Sequence, residues 1–273
     1  MSGIIFAGCS YTHGHGLWLY DRKRYQKYYN GDDYSEKKYH HLNVKNIFRF
    51  PRLVSQEFEK FEITRRAYSG NDEDSLDFIN QLFHLKRPNT NWTEETYQFE
   101  DVDYIILQTS YPHRSHFQFE NGQEIRLTDS NVDILYNKLK QYGFSSYEEY
   151  TDKLLNQLFT RIKTTFQFYE ERGIIPFIIN ITNDYDKLIE SDYYMSNRWI
   201  KIKYDGITYN SMSEASKNNH ELSICTDYEF FGNNPPQDKH PSKKFHKVIA
   251  DNIIKKIKSF EKNNFGVPPL KYI

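Results

Sequence analysis

The sequence predicts an α/β protein whose parallel sheet is covered on both faces by helices. Three observations carry this. Short apolar runs of strand length alternate with longer stretches of helical period. The runs are apolar at nearly every position, as strands buried on both faces must be. No internal repeat, low-complexity tract or linker divides the 273 residues. They read as one domain, 1–273, with a tyrosine-rich excursion at 18–46.

Residues 3–7, Gly-Ile-Ile-Phe-Ala, form the first strand, ending at Gly8. Residues 18–46 have no clean period and read as a loop. From Arg49 to Phe61, Phe50, Leu53, Val54 and Phe58 recur at helical spacing. A second strand follows at 61–67. Asn71 to Phe83 reads as a helix, with Asn71 as N-cap and Asp72, Glu73 and Asp74 in its first turn, where negative charge meets the helix dipole. Residues 103–108 are the third strand. The clearest helix runs from Tyr147 to Arg172, with Tyr147, Tyr150, Leu154, Leu158, Ile162, Phe166 and Tyr169 on one stripe. Ser146 and Glu149 fit a capping box there, and Gly173 a C-terminal stop. The fourth strand is 174–180, where Pro176 is awkward for a central position. A fifth is expected at 199–204. The last helix spans Ser242 to Phe260, with Phe245, Val248, Ile249, Ile253, Ile257 and Phe260 on one face. The stretches 85–101, 111–143 and 205–236 read as insertions.

Composition bounds the function. Aromatic residues make up 17% of the chain, with 23 Tyr and 20 Phe, which argues against disorder and for a core built from rings. Mean hydropathy is −0.82, and no apolar stretch is long enough to span a membrane. The net charge of −1 supplies no global field toward nucleic acid or anionic lipid, so neither partner is expected. Met1 to Gly8 lacks the charged start of a signal peptide. Two cysteines, Cys9 and Cys225, make no disulfide framework. A cytoplasmic location is the expectation.

In open α/β sheets chemistry gathers at the carboxyl ends of the strands. The first strand ends in Gly8-Cys9-Ser10-Tyr11-Thr12, the second in Ser69-Gly70-Asn71, and the third in Thr109-Ser110. Asp238-Lys239-His240-Pro241-Ser242 precedes the last helix. These parts suit acyl transfer. Ser10 would attack, His240 would take its proton, and Asp238 would orient the imidazole. The backbone N–H groups of Ser10 and Gly70 would face the developing oxyanion.

With these residues in order, the chain resembles the SGNH hydrolases, the GDSL esterase/lipase superfamily. That family opens with Gly-Asp-Ser after the first strand, has a glycine after the second and an Asn after the third, and closes with Asp and His before the last helix. Gly8-Cys9-Ser10-Tyr11-Thr12, Gly70 and Asp238-x-His240-Pro-Ser match three of these blocks, and the run His246 to Ala250 is also of the family's type. The Arg49-Phe50-Pro51 segment and the Asp-x-His-Pro-Ser ending are similar to uncharacterised members in phage genomes. The resemblance implies a three-layer α/β/α sandwich with a five-stranded parallel sheet. It also implies metal-free hydrolysis of a small O-acyl ester, often acetyl on a sugar, with no cofactor.

The departures are specific. Cys9 stands where the family has Asp, and Asp238 lies two residues before His240 where three is commoner. The third strand ends in Gln108-Thr109-Ser110-Tyr111, without the family's Asn, leaving Asn71, Thr109 or Ser110 to replace the third oxyanion donor. Losing one such donor costs about 10²–10³ in rate. Arg114 and Tyr11 are candidate substrate contacts, and the tyrosines of 18–46 could shape a sugar site. Cys9 and His246 read as core residues. His13, His15, His113 and His116 lack carboxylate or thiolate partners at metal-site spacing, so no metal is expected. The alternative is a catalytically weak or inactive binding or structural protein on the same fold, associated with a viral particle.

Overall fold

The structure, a computed structural model, describes residues 2–9, 11–12, 17–20, 47–64, 72–84, 97–125, 132–231 and 239–264. The elements in chain order begin with β1 (Gly3–Ala7), α1 (Phe50–Glu57), β2 (Phe61–Thr64), α2 (Asp72–His84) and β3 (Val102–Gln108). A small hairpin, β4 (Phe117–Gln118) with β5 (Glu124–Ile125), precedes α3 (Val132–Gln141), α4 (Tyr147–Glu170) and β6 (Ile175–Ile179). Two short helices follow, α5 (Asp186–Ser191) and α6 (Tyr193–Ser196), then a second hairpin of β7 (Ile202–Tyr204) and β8 (Ile207–Tyr209). The chain closes with α7 (Met212–Asn218), α8 (Tyr228–Phe231) and α9 (Lys243–Asn264).

The central sheet has the order β2-β1-β3-β6, all parallel. The inner parts of β1, β3 and β6 are apolar at successive positions because successive side chains enter opposite cores, whereas β2, at the edge, alternates as Phe-Glu-Ile-Thr. Ile5, Ala7, Ile105, Leu107 and Ile178 pack on the side of α2 and α4. Ile4, Phe6, Ile106, Phe177 and Ile179 pack on the side of α1 and α9. The sheet therefore lies between two helical layers.

Helix α4 follows its expected stripe from Tyr150 to Tyr169, all buried. Tyr147, expected on that stripe, is instead 41% exposed, one turn beyond the core, with its ring 5.9 Å from that of Tyr150. Ser146 Oγ accepts the Glu149 N–H at 3.1 Å. The Glu149 carboxylate reaches one residue further back than a capping box requires, accepting the Ser145 N–H at 2.7 Å. Gly173 stops the chain in the left-handed region, φ 77°.

The expected fifth strand at 199–204 takes another form. Trp199 meets β6 in an isolated parallel bridge to Ile178, and a second such bridge joins Asn180, just after β6, to Ser211. Between these bridges the chain leaves to make the β7–β8 hairpin. Asp205 and Gly206 both have positive φ, 47° and 79°, the geometry of a tight two-residue hairpin turn. Pro176 is tolerated because of this same edge. Ile178 N–H donates outward to the Arg198 carbonyl, so Pro176, two residues earlier, turns its missing N–H to the side where no strand lies.

Candidate active site

The carboxyl ends of β1 and β3 are tied together by side chains. Gln108, buried at the end of β3, donates through Nε2 to Cys9 Sγ at 3.1 Å and accepts the Thr12 hydroxyl at 2.9 Å. The turn that carries Ser10 in the sequence is thus held on both sides of that residue. Gly8 has no room for a side chain: a Cβ there would lie 2.3 Å from Thr12 Oγ1 and 2.8 Å from Gln108 Cβ. Cys9 is buried among core residues, as expected, with its sulfur turned to Gln108. Ser10, Gly70, Asn71 and Asp238 lie outside the described residues.

A second network joins β3, α2 and the segment after β6. Asp72, fully buried at the start of α2, accepts the Ser110 N–H at 2.6 Å and the Tyr185 hydroxyl at 2.6 Å. Thr109, also fully buried, donates its N–H to the Ile179 carbonyl at 3.0 Å and its hydroxyl to Asn180 Oδ1 at 3.3 Å. Both donors of Thr109 and the backbone donor of Ser110 are therefore engaged within the protein.

His240 is held by its backbone. Its carbonyl accepts the Ile224 N–H at 3.0 Å, and Ser242 N–H donates to the Leu222 carbonyl at 2.9 Å. Ser242 Oγ accepts the Phe245 N–H at 3.2 Å in the first turn of α9. The half-buried imidazole of His240 lies edge-on to the ring of Tyr11, with centroids 5.4 Å apart. The histidine of the last block thus meets the residue that follows Ser10.

His246, six residues on, is a core residue as expected. Its Nδ1 accepts the Phe50 N–H at 3.3 Å and its ring stacks on Phe50, while Nε2 has no partner among the described residues. Burial, then the nearby His240 and Arg49, pushes this imidazole down to about 3 from its usual 6.5. Between those values the unfolded chain binds a proton that the folded chain refuses. Stability should therefore fall as pH drops below 6.5, by up to about 1.4 kcal/mol per pH unit. Urea midpoints measured from pH 7 to pH 4 should decline in the wild type and flatten by one proton in His246→Gln. Equal slopes would assign the acid lability to other groups.

Arg114 stacks its guanidinium over the Tyr111 ring, 4.9 Å from the centroid. Tyr11 also borders a pocket of about 450 Å³ between α7 and the segment before α9. Among the described residues no three His, Cys, Asp or Glu side chains gather as a metal site would need, and no helix is long and apolar enough to cross a membrane.

Sequence reasoning missed Gln108, Asp72 and Tyr185. Only Asp72 left a trace, as an acidic residue in a first helical turn; no local pattern announces the other two.

The sequence matches no protein-family model and no curated protein. Among solved structures it is similar to a G-D-S-L-family protein, assigned as lipolytic, from Desulfitobacterium hafniense DCB-2. That likeness has 12% identity and a TM-score of 0.43, and it covers 94% of this chain and 99% of the other. At that distance the chemistry of the site has to be argued from this chain's own residues.

Proposed function

We propose that this chain is a serine hydrolase of the SGNH type, cleaving a small O-acyl ester on a carbohydrate or similarly polar molecule. The observation that carries the reading is the contact between Tyr11 and His240, 5.4 Å between rings, at the carboxyl end of the sheet. It joins the segment after β1 to the segment before α9, the two parts of the chain that an acyl-transfer site needs together.

In this reading Ser10 Oγ attacks the acyl carbon as His240 takes its proton, and Asp238 steadies the imidazolium. The N–H groups of Ser10 and Gly70, with Asn71, receive the oxyanion. The ester C–O bond breaks and the alcohol leaves with the proton from His240. Water, deprotonated by the same imidazole, then releases the acid. Arg114 and Tyr11 line the approach of the substrate.

Thr109 and Ser110 give the second reading its support. Their engaged backbone donors withhold two candidates for the third oxyanion contact. A catalytically weak or inactive binding protein is the outcome if Asn71 does not fill that role. Labelling with a fluorophosphonate probe, read by peptide mass spectrometry, separates the two. An adduct on the Ser10 peptide that disappears on heating and in Ser10→Ala supports the hydrolase. A folded protein that takes no label supports the binding protein.

A further inference from the structure

The pocket beside Tyr11 has a composition that selects a ligand. Met212, Phe245, Pro241 and the Tyr11 ring give it an apolar floor. Ser213, Ser216, Ser223 and Thr226 line it, with the Ser216 and Ser223 hydroxyl oxygens 2.6 Å apart. Lys217, Lys239 and His220 supply basic groups, and no carboxylate lines it among the described residues. Neither Lys217 nor Lys239 has an acidic partner among those residues. A shallower groove between α1 and α9 makes the contrast. It holds about 530 Å³, but carries Glu57 and Asp251 among its lysines, and Lys258 is paired with Glu57 at 2.5 Å. That groove sets two carboxylates against its three lysines; the pocket beside Tyr11, with no carboxylate among its described lining, favours an anion.

Position ties this pocket to the chemistry. Lys239 and Pro241 flank His240 in the chain, and Tyr11 touches both the pocket and the His240 ring. An acetyl group alone would leave a cavity of this size almost empty, whereas a ring-sized group fits the range typical of ligand sites.

We infer that this pocket holds the alcohol half of the ester, and that this half carries an anionic group, a carboxylate or a phosphate, facing Lys217 and Lys239. The inference rests on the hydrolase reading and narrows its substrate class to O-acylated anionic molecules. Water and the ester yield the carboxylic acid and the free anionic alcohol, which leaves past the two lysines.

The test compares 3-acetoxybenzoate with its neutral methyl ester, which have similar leaving groups and differ in charge. The wild type should favour the anion by about tenfold in kcat/KM, expressed in KM, and the ratio should shrink with added salt. In Lys217→Ala/Lys239→Ala that ratio should fall to about one, whereas Lys255→Ala, in the other groove, should keep it. A wild-type ratio of one, or a ratio unmoved by loss of both lysines, overturns the inference. The product 3-hydroxybenzoate, titrated calorimetrically into Ser10→Ala with and without the two lysines, gives a readout independent of turnover. Lysine-dependent binding, together with a wild type that takes no fluorophosphonate label and cleaves neither ester, would uphold the anion pocket and remove the hydrolase. No binding and no preference, with Ser10 labelled, would remove the pocket and keep the hydrolase.

Discussion

Replacing His240 with alanine is expected to lower turnover of an activated acetyl ester by about 10⁴-fold or more, with the fold retained. The backbone of this residue holds its segment in place. The Ile224 N–H bond to its carbonyl, and the Ser242 bond to Leu222 beside it, survive the substitution. The edge contact with Tyr11 is lost, and a contact of that kind is worth about 1 kcal/mol in stability. Stability and activity should therefore separate by several orders of magnitude. His246 cannot take over as base, because it is fully buried and its Nδ1 is occupied by Phe50. Steady-state kinetics beside a urea titration make the measurement. Hydrolysis within about tenfold of wild type would place the general base elsewhere.

Asp72→Ala is expected to cost the most stability, about 2–6 kcal/mol, because it strands two buried donors at about 1–3 kcal/mol each. Those donors are the Ser110 N–H and the Tyr185 hydroxyl, both now at 2.6 Å from its carboxylate. Asp72→Asn keeps an acceptor for one of them in the same volume and should lose far less. The effect should also reach the chemistry, since Asp72 lies two residues after Gly70 and anchors the start of α2 to the end of β3. The rate of fluorophosphonate labelling should fall in Asp72→Ala under conditions where it remains folded, and recover in Asp72→Asn. A urea midpoint in Asp72→Ala close to wild type would show that water or a neighbour satisfies both donors.

Much of the fold was legible because its signals are local. Helix α4 announces itself through Ser146, a seven-membered apolar stripe and Gly173, and the structure departs at Tyr147 and in the reach of Glu149 back to Ser145. The strands β1, β3 and β6 are legible from runs of consecutive apolar residues; β2, Phe-Glu-Ile-Thr, alternates as an edge strand. The fifth strand was misjudged for a readable reason. Asp205-Gly206 is a hairpin turn signal between Ile-Lys-Tyr and Ile-Thr-Tyr, and it outweighs the expectation of one continuous strand. The candidate site divides in the same way. Gly8, Cys9 and His240 could be named from motif order, and Cys9 is buried as its position implies. Gln108 and Tyr185 could not, because their partners lie 99 and 113 residues away in the chain and only folding brings them together.

The interrupted outer edge of the sheet has a consequence for how these molecules behave in a crowd. A border strand such as β6 normally offers a free ladder of donors and acceptors on which a foreign strand can grow. Here most of that ladder is taken, along β6 and at Asn180 just beyond it. Pro176 has no donor to offer, and Ile178 donates its N–H to the Arg198 carbonyl and accepts the Ile200 N–H. The carbonyl of Asn180 takes the Met212 N–H. Among the described residues the Pro176 carbonyl and the Asn180 N–H are the outward groups left without a backbone partner, too few to template a ribbon. The hairpin insertion thus guards this flank against sheet-to-sheet aggregation, a protection that a plain fifth strand would only have moved outward by one place.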